Sequence, residues 1–338
     1  MNKEKVGISF AGNILVDIVK TIDSYPGMGM LANISEVSQS VGGCVPNTGI
    51  DLAKIDSSVP INAIGCVGND DYGRYVVSRL NEYKIDTGRI TVTDDAPTSF
   101  SDVMSLKTGD RTFFHARGAN AKFSPAQIDL SAINSKMLHA GYILLLDAFD
   151  QKDAEYGTVM ARFLKAVRDR GIKTSIDVVS DDTGDYAAIV KPALKYTDYA
   201  IINEIECCRI WGISHLNKGK LDVPAVKRAM ELTLASGVRE KVIVHCKEAG
   251  FVLDKSGKFT QTASLVIPKE KIKGSVGAGD AFCAGALYGI YNDFDDEHIL
   301  RFASAAAACS LFSKNSIDGM LSAGEIENMD RMFSRKTM

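Results

Sequence analysis

The chain has 338 residues, 46% of them hydrophobic and 24% charged, enough to bury a large core without help from metals or disulfides. Lysines and arginines number 39 against 42 aspartates and glutamates, a net charge of −3 with no dense basic cluster, so no nucleic-acid partner is expected. No run approaches the roughly 20 apolar residues of a membrane span, the N-terminus has no signal-peptide pattern, and seven scattered cysteines without a CxxC pair read as free thiols; the expected location is cytoplasmic.

Short apolar runs alternate with amphipathic stretches along the chain. The first strand is expected at Val6–Ala11. From Asp17 to Val41 the sequence carries Tyr25-Pro26-Gly27 and Gly29 and has no helical period. A glycine turn at Gly42-Gly43 precedes a helix over Asn47–Lys54, and Ile61–Val67 reads as the next strand. Thr98 to Ala116 reads as a hairpin, TSFSDVMSL and RTFFHA joined by a turn at Thr108-Gly109-Asp110. These two interruptions, about residues 17–41 and 98–117, are expected to form a small accessory sheet, although two unrelated surface excursions would leave the same pattern. Further strands are expected at Tyr142–Leu146, Ile172–Val178, Tyr199–Ile202 and Lys241–Cys246. Tyr156, Val159, Met160, Phe163, Leu164 and Val167 recur at spacings of three and four, which puts one apolar face on a helix. The last third is helical, over Ala281–Tyr291, His298–Phe312 and Ala323–Phe333. Alternation of this kind predicts an α/β fold, a mainly parallel central sheet between two helical layers, as one domain over residues 1–338 with lid inserts.

The stretch KGSVGAGDAFCAGALYGIY, from Lys273 to Tyr291, carries the most chemistry. Gly277, Ala278 and Gly279 have little or no side chain, so their backbone N–H groups can come close to a ligand. A helix starting at Asp280 would add its unpaired N–H groups and positive dipole end, which together suit an anion. Position 282 is phenylalanine, so the dinucleotide fingerprint GxGxxG is absent, and no GxxxxGK[ST] occurs anywhere. Taken alone, GAGD also fits a glycine turn capped by Asp280 at an ordinary helix start.

Several motifs in chain order separate these readings. Gly277, Ala278, Gly279, Asp280, Phe282 and Gly285 resemble the second signature of the PfkB, or ribokinase-like, family, and Gly42, Gly43 and Asn47 resemble its first, GGxxxN. Gly12 and Asp17 in GNILVD, Gly65 to Asp70 followed by Gly73, and Asn203-Glu204-Ile205-Glu206 follow in family order, so the resemblance spans nearly the whole chain. It implies a ribokinase-like three-layer α/β/α sandwich with a small β-sheet lid, and ATP-dependent phosphorylation of a hydroxyl on a small sugar-like substrate. Asp280 is then the general base and Gly277–Gly279 the anion hole. Asn203 and Glu206 match the NxxE motif that positions Mg²⁺, largely through water, and the nucleotide phosphates. On their own they read as a helix N-cap and its capping-box partner. Asp17, Gly42, Gly43 and Asn47 map onto the substrate pocket, with Asp147, at the end of the Tyr142–Leu146 run, as a further pocket group. On the lid hairpin, strand alternation puts Arg111 and His115 on one face with Phe113, where a positive charge would suit an acidic or phosphorylated substrate; solvated strand charges give the same pattern. On the nucleotide side His245, Lys247 and Gly250 stand where the family usually has TLGxxG.

The sequence also departs from the family. Gly274-Ser275-Val276 replaces the D-T-T that helps hold a monovalent cation, and Lys314-Asn315-Ser316-Ile317 replaces the later segment that completes that site, with Asn315 left as a nucleotide-side candidate. These losses put potassium activation in doubt and suggest Lys273 or Lys314 as a built-in charge. Leu15 stands where ribose-specific relatives have asparagine, which disfavours ribose itself. The leading expectation is a sugar or sugar-acid kinase. The alternatives are a nucleoside kinase with an aromatic pocket around Phe100, Phe113 and Phe114, and a non-catalytic carbohydrate-binding regulator. The resemblance also admits a homodimer through the lid.

Overall fold

The computed structural model describes residues 4–106, 111–180 and 184–337. A nine-stranded sheet runs through the molecule in the order Phe259–Ala263, Ala249–Asp254, Lys241–His245, Tyr199–Asn203, Lys173–Val178, Met137–Ile143, Ile8–Gly12, Ile61–Gly68 and Asp86–Thr93. The seven strands from Lys241–His245 to Asp86–Thr93 are parallel, and the other two add an antiparallel edge. Both faces are buried, and strand alternation divides the core in two. Ile8, Phe10, Ile201 and Ile243 face the layer of helices Cys44–Ile55, Ala278–Tyr291 and Asp296–Ser310. Ala11, Ile202, Val242 and Val244 face Val159–Asp169, Tyr186–Leu194 and Val223–Ala235.

The two interruptions of the alternation meet in one four-stranded sheet, ordered Ile34–Gly42, Leu15–Ile22, Phe100–Leu106 and Arg111–Ala116. Asp17 pairs with Ser40 on one side and Ser101 on the other, so the early segment and the hairpin interlock residue by residue. The turn expected at Thr108-Gly109-Asp110 lies outside the described residues.

Several expected boundaries need correction. The strand expected at Tyr142–Leu146 lies earlier, at Met137–Ile143. His139 and Gly141 break its apolar pattern, whereas Leu144 turns the chain with a φ of 83°. The helix expected from Tyr156 begins at Val159, where the Thr158 hydroxyl accepts from the Ala161 N–H at 3.2 Å. The helix expected at Asn47–Lys54 starts sooner, at Cys44, with Gly43 as N-cap in a positive-φ conformation at 88° that glycine tolerates. The GAGD helix likewise begins at Ala278, so Asp280 sits within its first turn, behind the left-handed N-cap Gly277. Gly285 lets this helix approach its neighbour, since a Cβ there would lie 2.9 Å from Ala303 Cα and Ala306 Cβ.

Candidate active site

Parallel strands end together on one side of the sheet, and in open α/β folds ligands sit at that edge. Three cavities meet there, at the N-terminal end of the helix Ala278–Tyr291. One of about 1290 Å³ lies under the lid sheet, one of about 220 Å³ runs past the helix N-terminus, and one of about 680 Å³ extends toward Lys247 and Lys336. Ser275 lines all three, and Asp280 lines the first two.

Asp280 is only 8% exposed, and both its oxygens are held. The Tyr142 hydroxyl donates to Oδ1 at 2.5 Å and the Asn47 amide donates to Oδ2 at 3.0 Å, while Asn47 in turn accepts from the Ser316 hydroxyl at 2.8 Å. Burial raises the Asp280 carboxyl to about 6, and nearby Asp177 pushes the same way; the Tyr142 and Asn47 hydrogen bonds oppose this. Asn47 therefore lines the cavity and also positions Asp280. At Gly277, φ is 79° and a Cβ would lie 2.4 Å from Ser316 Cβ, so the loop backbone and the Ser316 segment are packed against each other.

Under the lid, Asp17, Gly43, Asn47 and Arg111 all line the large cavity. The Asp17 carboxyl is raised to about 7 by burial and by the Asp280 charge, with Ser101 and Arg111 pulling it down. Gly42 acts through Asp17, because a Cβ there would lie 2.4 Å from Asp17 Oδ2. Arg111, Phe113 and His115 all turn to the cavity, as alternation predicted. His115 Nδ1 lies 3.0 Å from the Ser101 hydroxyl, and burial lowers its pKa.

On the other side, Asn203 and Glu206 form a complete capping box. The Asn203 side chain accepts from the Glu206 N–H at 2.8 Å, and the Glu206 carboxylate accepts from the Asn203 N–H at 3.0 Å. The Ser180 hydroxyl and the Asn203 amide also donate to Glu206 Oε1, at 2.8 and 2.7 Å. Burial raises the Glu206 carboxyl to about 8, and both residues line the 220 Å³ cavity. His245 packs on Phe282 with ring centroids 4.8 Å apart, and burial lowers its pKa to about 4, so it is neutral. Lys247 lines the 680 Å³ cavity with His245.

Three expected site residues lie elsewhere. Asp147 pairs with Arg117 and is not among the residues lining these cavities. Asn315 turns back on its own segment, donating to Asp318 Oδ2 at 2.8 Å and accepting from the Asp318 N–H at 2.9 Å. Gly250 is a packing position, where a Cβ would lie 3.1 Å from Leu300 and 3.3 Å from Phe282. Of the two lysines considered as built-in charges, Lys273 lines the large cavity, while Lys314 is exposed and lies 3.6 Å from Glu36 of the lid. Sequence reasoning missed Tyr142, Ser316 and Ser180. The misplaced strand hid Tyr142, whose signal was its place just after Gly141 at a strand end.

A family model described as the pfkB family carbohydrate kinase matches residues 8–323. The chain belongs to this family. It is a sugar kinase of the ribokinase-like type, so its reaction is phosphoryl transfer. The chain is 22% identical over 299 residues to a 5-dehydro-2-deoxygluconokinase of Shouchella clausii, covering 85% of each chain. The structure of Arabidopsis thaliana ribokinase complexed with ribose and ATP superposes with a TM-score of 0.79 at 22% identity, over 97% of this chain and 99% of that one. A putative ribokinase II from E. coli, in complex with ATP and Mg²⁺, gives a TM-score of 0.76 at 20% identity, over 96% and 99%. This fold, with a mainly parallel sheet between helical layers and a small separate lid sheet, is the one the sequence led us to expect.

Proposed function

We propose that this kinase transfers the γ-phosphoryl group of ATP to a hydroxyl of a sugar acid or similarly polar sugar, with Asp280 as general base. One observation carries the reading: Asp280 lies where the cavity under the lid meets the cavity along the helix N-terminus. An acceptor in the first and a phosphate chain in the second would come together over its carboxylate. Asp280 takes the proton of the attacking hydroxyl while the N–H groups of Gly277–Gly279, at the positive helix end, meet charge on the transferred group. A pKa of about 6 suits a general base, since the carboxylate is ionised at neutral pH yet basic enough to share a proton in the transition state.

The acceptor cavity is hydroxyl- and charge-recognising rather than aromatic. Asp17, Asn47, Ser101, Arg111, His115 and Ser180 line it. Of the three phenylalanines that would favour a nucleoside, only Phe113 lines it; Phe114 is exposed, and Phe100 packs on Tyr72. Arg111 gives the pocket a positive group for a carboxylate, in keeping with the sugar-acid name of the Shouchella relative. Leu15 lines the same cavity and offers no polar contact of the kind an asparagine would.

The donor side fits ATP and Mg²⁺. The 680 Å³ cavity joins apolar Leu265, Ile267 and Phe282 with Lys247, a lining for a nucleobase and a phosphate. Glu206 is a carboxyl raised to about 8 by burial, with Asp177 and Glu204 pushing the same way, and with Asn203 it offers an all-oxygen set suited to a hydrated hard cation. Bound there, Mg²⁺ would neutralise phosphate charge. An ADP-release screen over sugar acids, sugars and nucleosides tests the reading. Asp280→Asn should lower kcat about 10²–10⁴-fold with KM little changed; near-normal turnover would remove Asp280 from the role.

A further inference from the structure

One turn beyond Asp280, the same helix presents a second polar cluster, to which the proposed reaction assigns no bond-making role. Cys283 faces His139 of the strand Met137–Ile143 and Asp177 of the strand Lys173–Val178. All three are buried, and one ligating atom from each lies within 4.8 Å of the others. His139 Nε2 is 3.4 Å from Asp177 Oδ2 and 3.7 Å from Cys283 Sγ. Zinc bonds of about 2.05 Å to nitrogen, 2.1 Å to oxygen and 2.3 Å to sulfur, at tetrahedral angles, separate a nitrogen–oxygen pair by about 3.4 Å and a nitrogen–sulfur pair by about 3.6 Å. The two pairs that share His139 thus have the spacing of ligands around one ion, and the Asp177–Cys283 pair, within 4.8 Å, would close to about 3.6 Å on binding.

Two further observations point to a ligand. His139 Nδ1 lies 3.0 Å from the Ser175 hydroxyl, which fixes the ring; with Nδ1–H donating to Ser175, Nε2 turns a lone pair to the cluster. Asp177 is 7% exposed, and beyond the contact of Oδ2 with His139 its carboxylate is unsatisfied, since Oδ1, on the Gly141 side, is buried with no hydrogen-bond partner among the described residues. Asp177 and Cys283 both line the 220 Å³ cavity, which leaves a route in and an open fourth position.

We propose that His139 Nε2, Asp177 Oδ2 and Cys283 Sγ form a binding site for a thiophilic divalent cation of the zinc class. Thiolate and imidazole select such ions over magnesium, so this site is chemically distinct from the oxygen set of Asn203 and Glu206. Binding converts the Cys283 thiol to a thiolate, and its proton leaves to solvent. The ion-free arrangement has Nε2–H donating to Asp177 beside a neutral thiol.

The two are separated by stripping the full chain with chelator and titrating it with Co²⁺ in excess Mg²⁺, a binding readout independent of turnover. One equivalent should bind with a thiolate-to-cobalt charge-transfer band that Zn²⁺ abolishes. Cys283→Ser should lose the band, and His139→Gln should weaken Co²⁺ binding at least tenfold. Cys66→Ser, whose thiol lies by Gln127, should keep both properties. Absence of stoichiometric binding, or a band that survives in Cys283→Ser, overturns the proposal. Thermal melts check that the variants fold. If the Cys283 variant does not, X-ray absorption of the Co²⁺ protein decides: one sulfur ligand supports the site, and a shell of nitrogen and oxygen alone refutes it.

Discussion

Replacing Tyr142 by phenylalanine removes one hydroxyl and keeps the ring's volume, so it isolates the 2.5 Å hydrogen bond to Asp280 Oδ1. That bond favours the ionised carboxylate and holds the Asp280 pKa, about 6, below what burial alone would give. Hydrogen bonds to charged groups contribute about 1.5–3 kcal/mol. At 1.36 kcal/mol per pKa unit, losing this one moves the carboxyl up by about one to two units. A general base acts when deprotonated, so activity falls as pH drops through its pKa, and raising that pKa moves the acid limb to higher pH. In an ADP-release assay of kcat/KM from pH 5 to 9, Tyr142→Phe should lose about two- to tenfold at pH 7 and recover most of it by pH 9. Asp17, raised to about 7 and coupled to Asp280, titrates in the same range, so the displacement between the two profiles is the quantity to read. An acid limb that stays in place, or a loss equal at every pH, would refute this role for Tyr142.

Arg111→Met removes the cavity's lid-borne cation. It should raise KM for an anionic sugar about 10–100-fold, from the 1.5–3 kcal/mol of a charge-assisted hydrogen bond, and change KM for a neutral sugar far less. Equal effects on both would argue against a carboxylate-bearing acceptor. Glu206 tests linkage: its folded pKa of about 8 lies above its ordinary 4.5, so the folded state retains a proton that the unfolded chain gives up, and stability is lost as pH rises across that window. Glu206→Gln, a mimic of the protonated form, should flatten the dependence of melting temperature on pH and melt higher than wild type at pH 9 in the absence of nucleotide. A wild-type melting temperature unchanged between pH 5 and 9 would count against it.

The parts of the molecule most legible in the sequence are those where one physical signal acted alone. Tyr199–Asn203 and Lys241–His245 are buried on both faces and read as plain apolar runs. Alternation brought Arg111, Phe113 and His115 to one cavity wall. Met137–Ile143 was lost because it carries His139 and Gly141 in a central position, where polar and backbone contacts replace apolar packing. The apolar run YILLL that stood in for it is mostly a turn, closed by the Leu145 N–H to the Tyr142 carbonyl at 3.1 Å. At the site, residues identified by their chemistry fell together: Asp280, Asn47, Asp17 and Arg111 line one cavity. Asp147, Gly250 and Asn315 rested on position in the chain alone, and local pairing or packing claims each of them. What no pattern shows is which side chain reaches Asp280 from a distance of 138 residues, because that depends on strand order.

The lid's first strand follows the central strand Ile8–Gly12 after only Asn13 and Ile14, and Asn13 is anchored at both ends. Its side-chain oxygen accepts from the Tyr142 N–H at 2.8 Å, its amide donates to the Leu145 carbonyl at 3.2 Å, and its backbone N–H donates to the Gly141 carbonyl at 3.0 Å. This asparagine is a bracket between the lid and the segment that carries Tyr142. Under the proposed reaction, acceptor recognition by Asp17 and Arg111 belongs to the lid sheet and proton acceptance by Asp280 to a helix packed on the central sheet, and Asn13 is one of the joints between them. Changes to the lid's outer strands should therefore register in KM, while a change at the bracket itself, such as Asn13→Ala, should disturb binding and turnover at once.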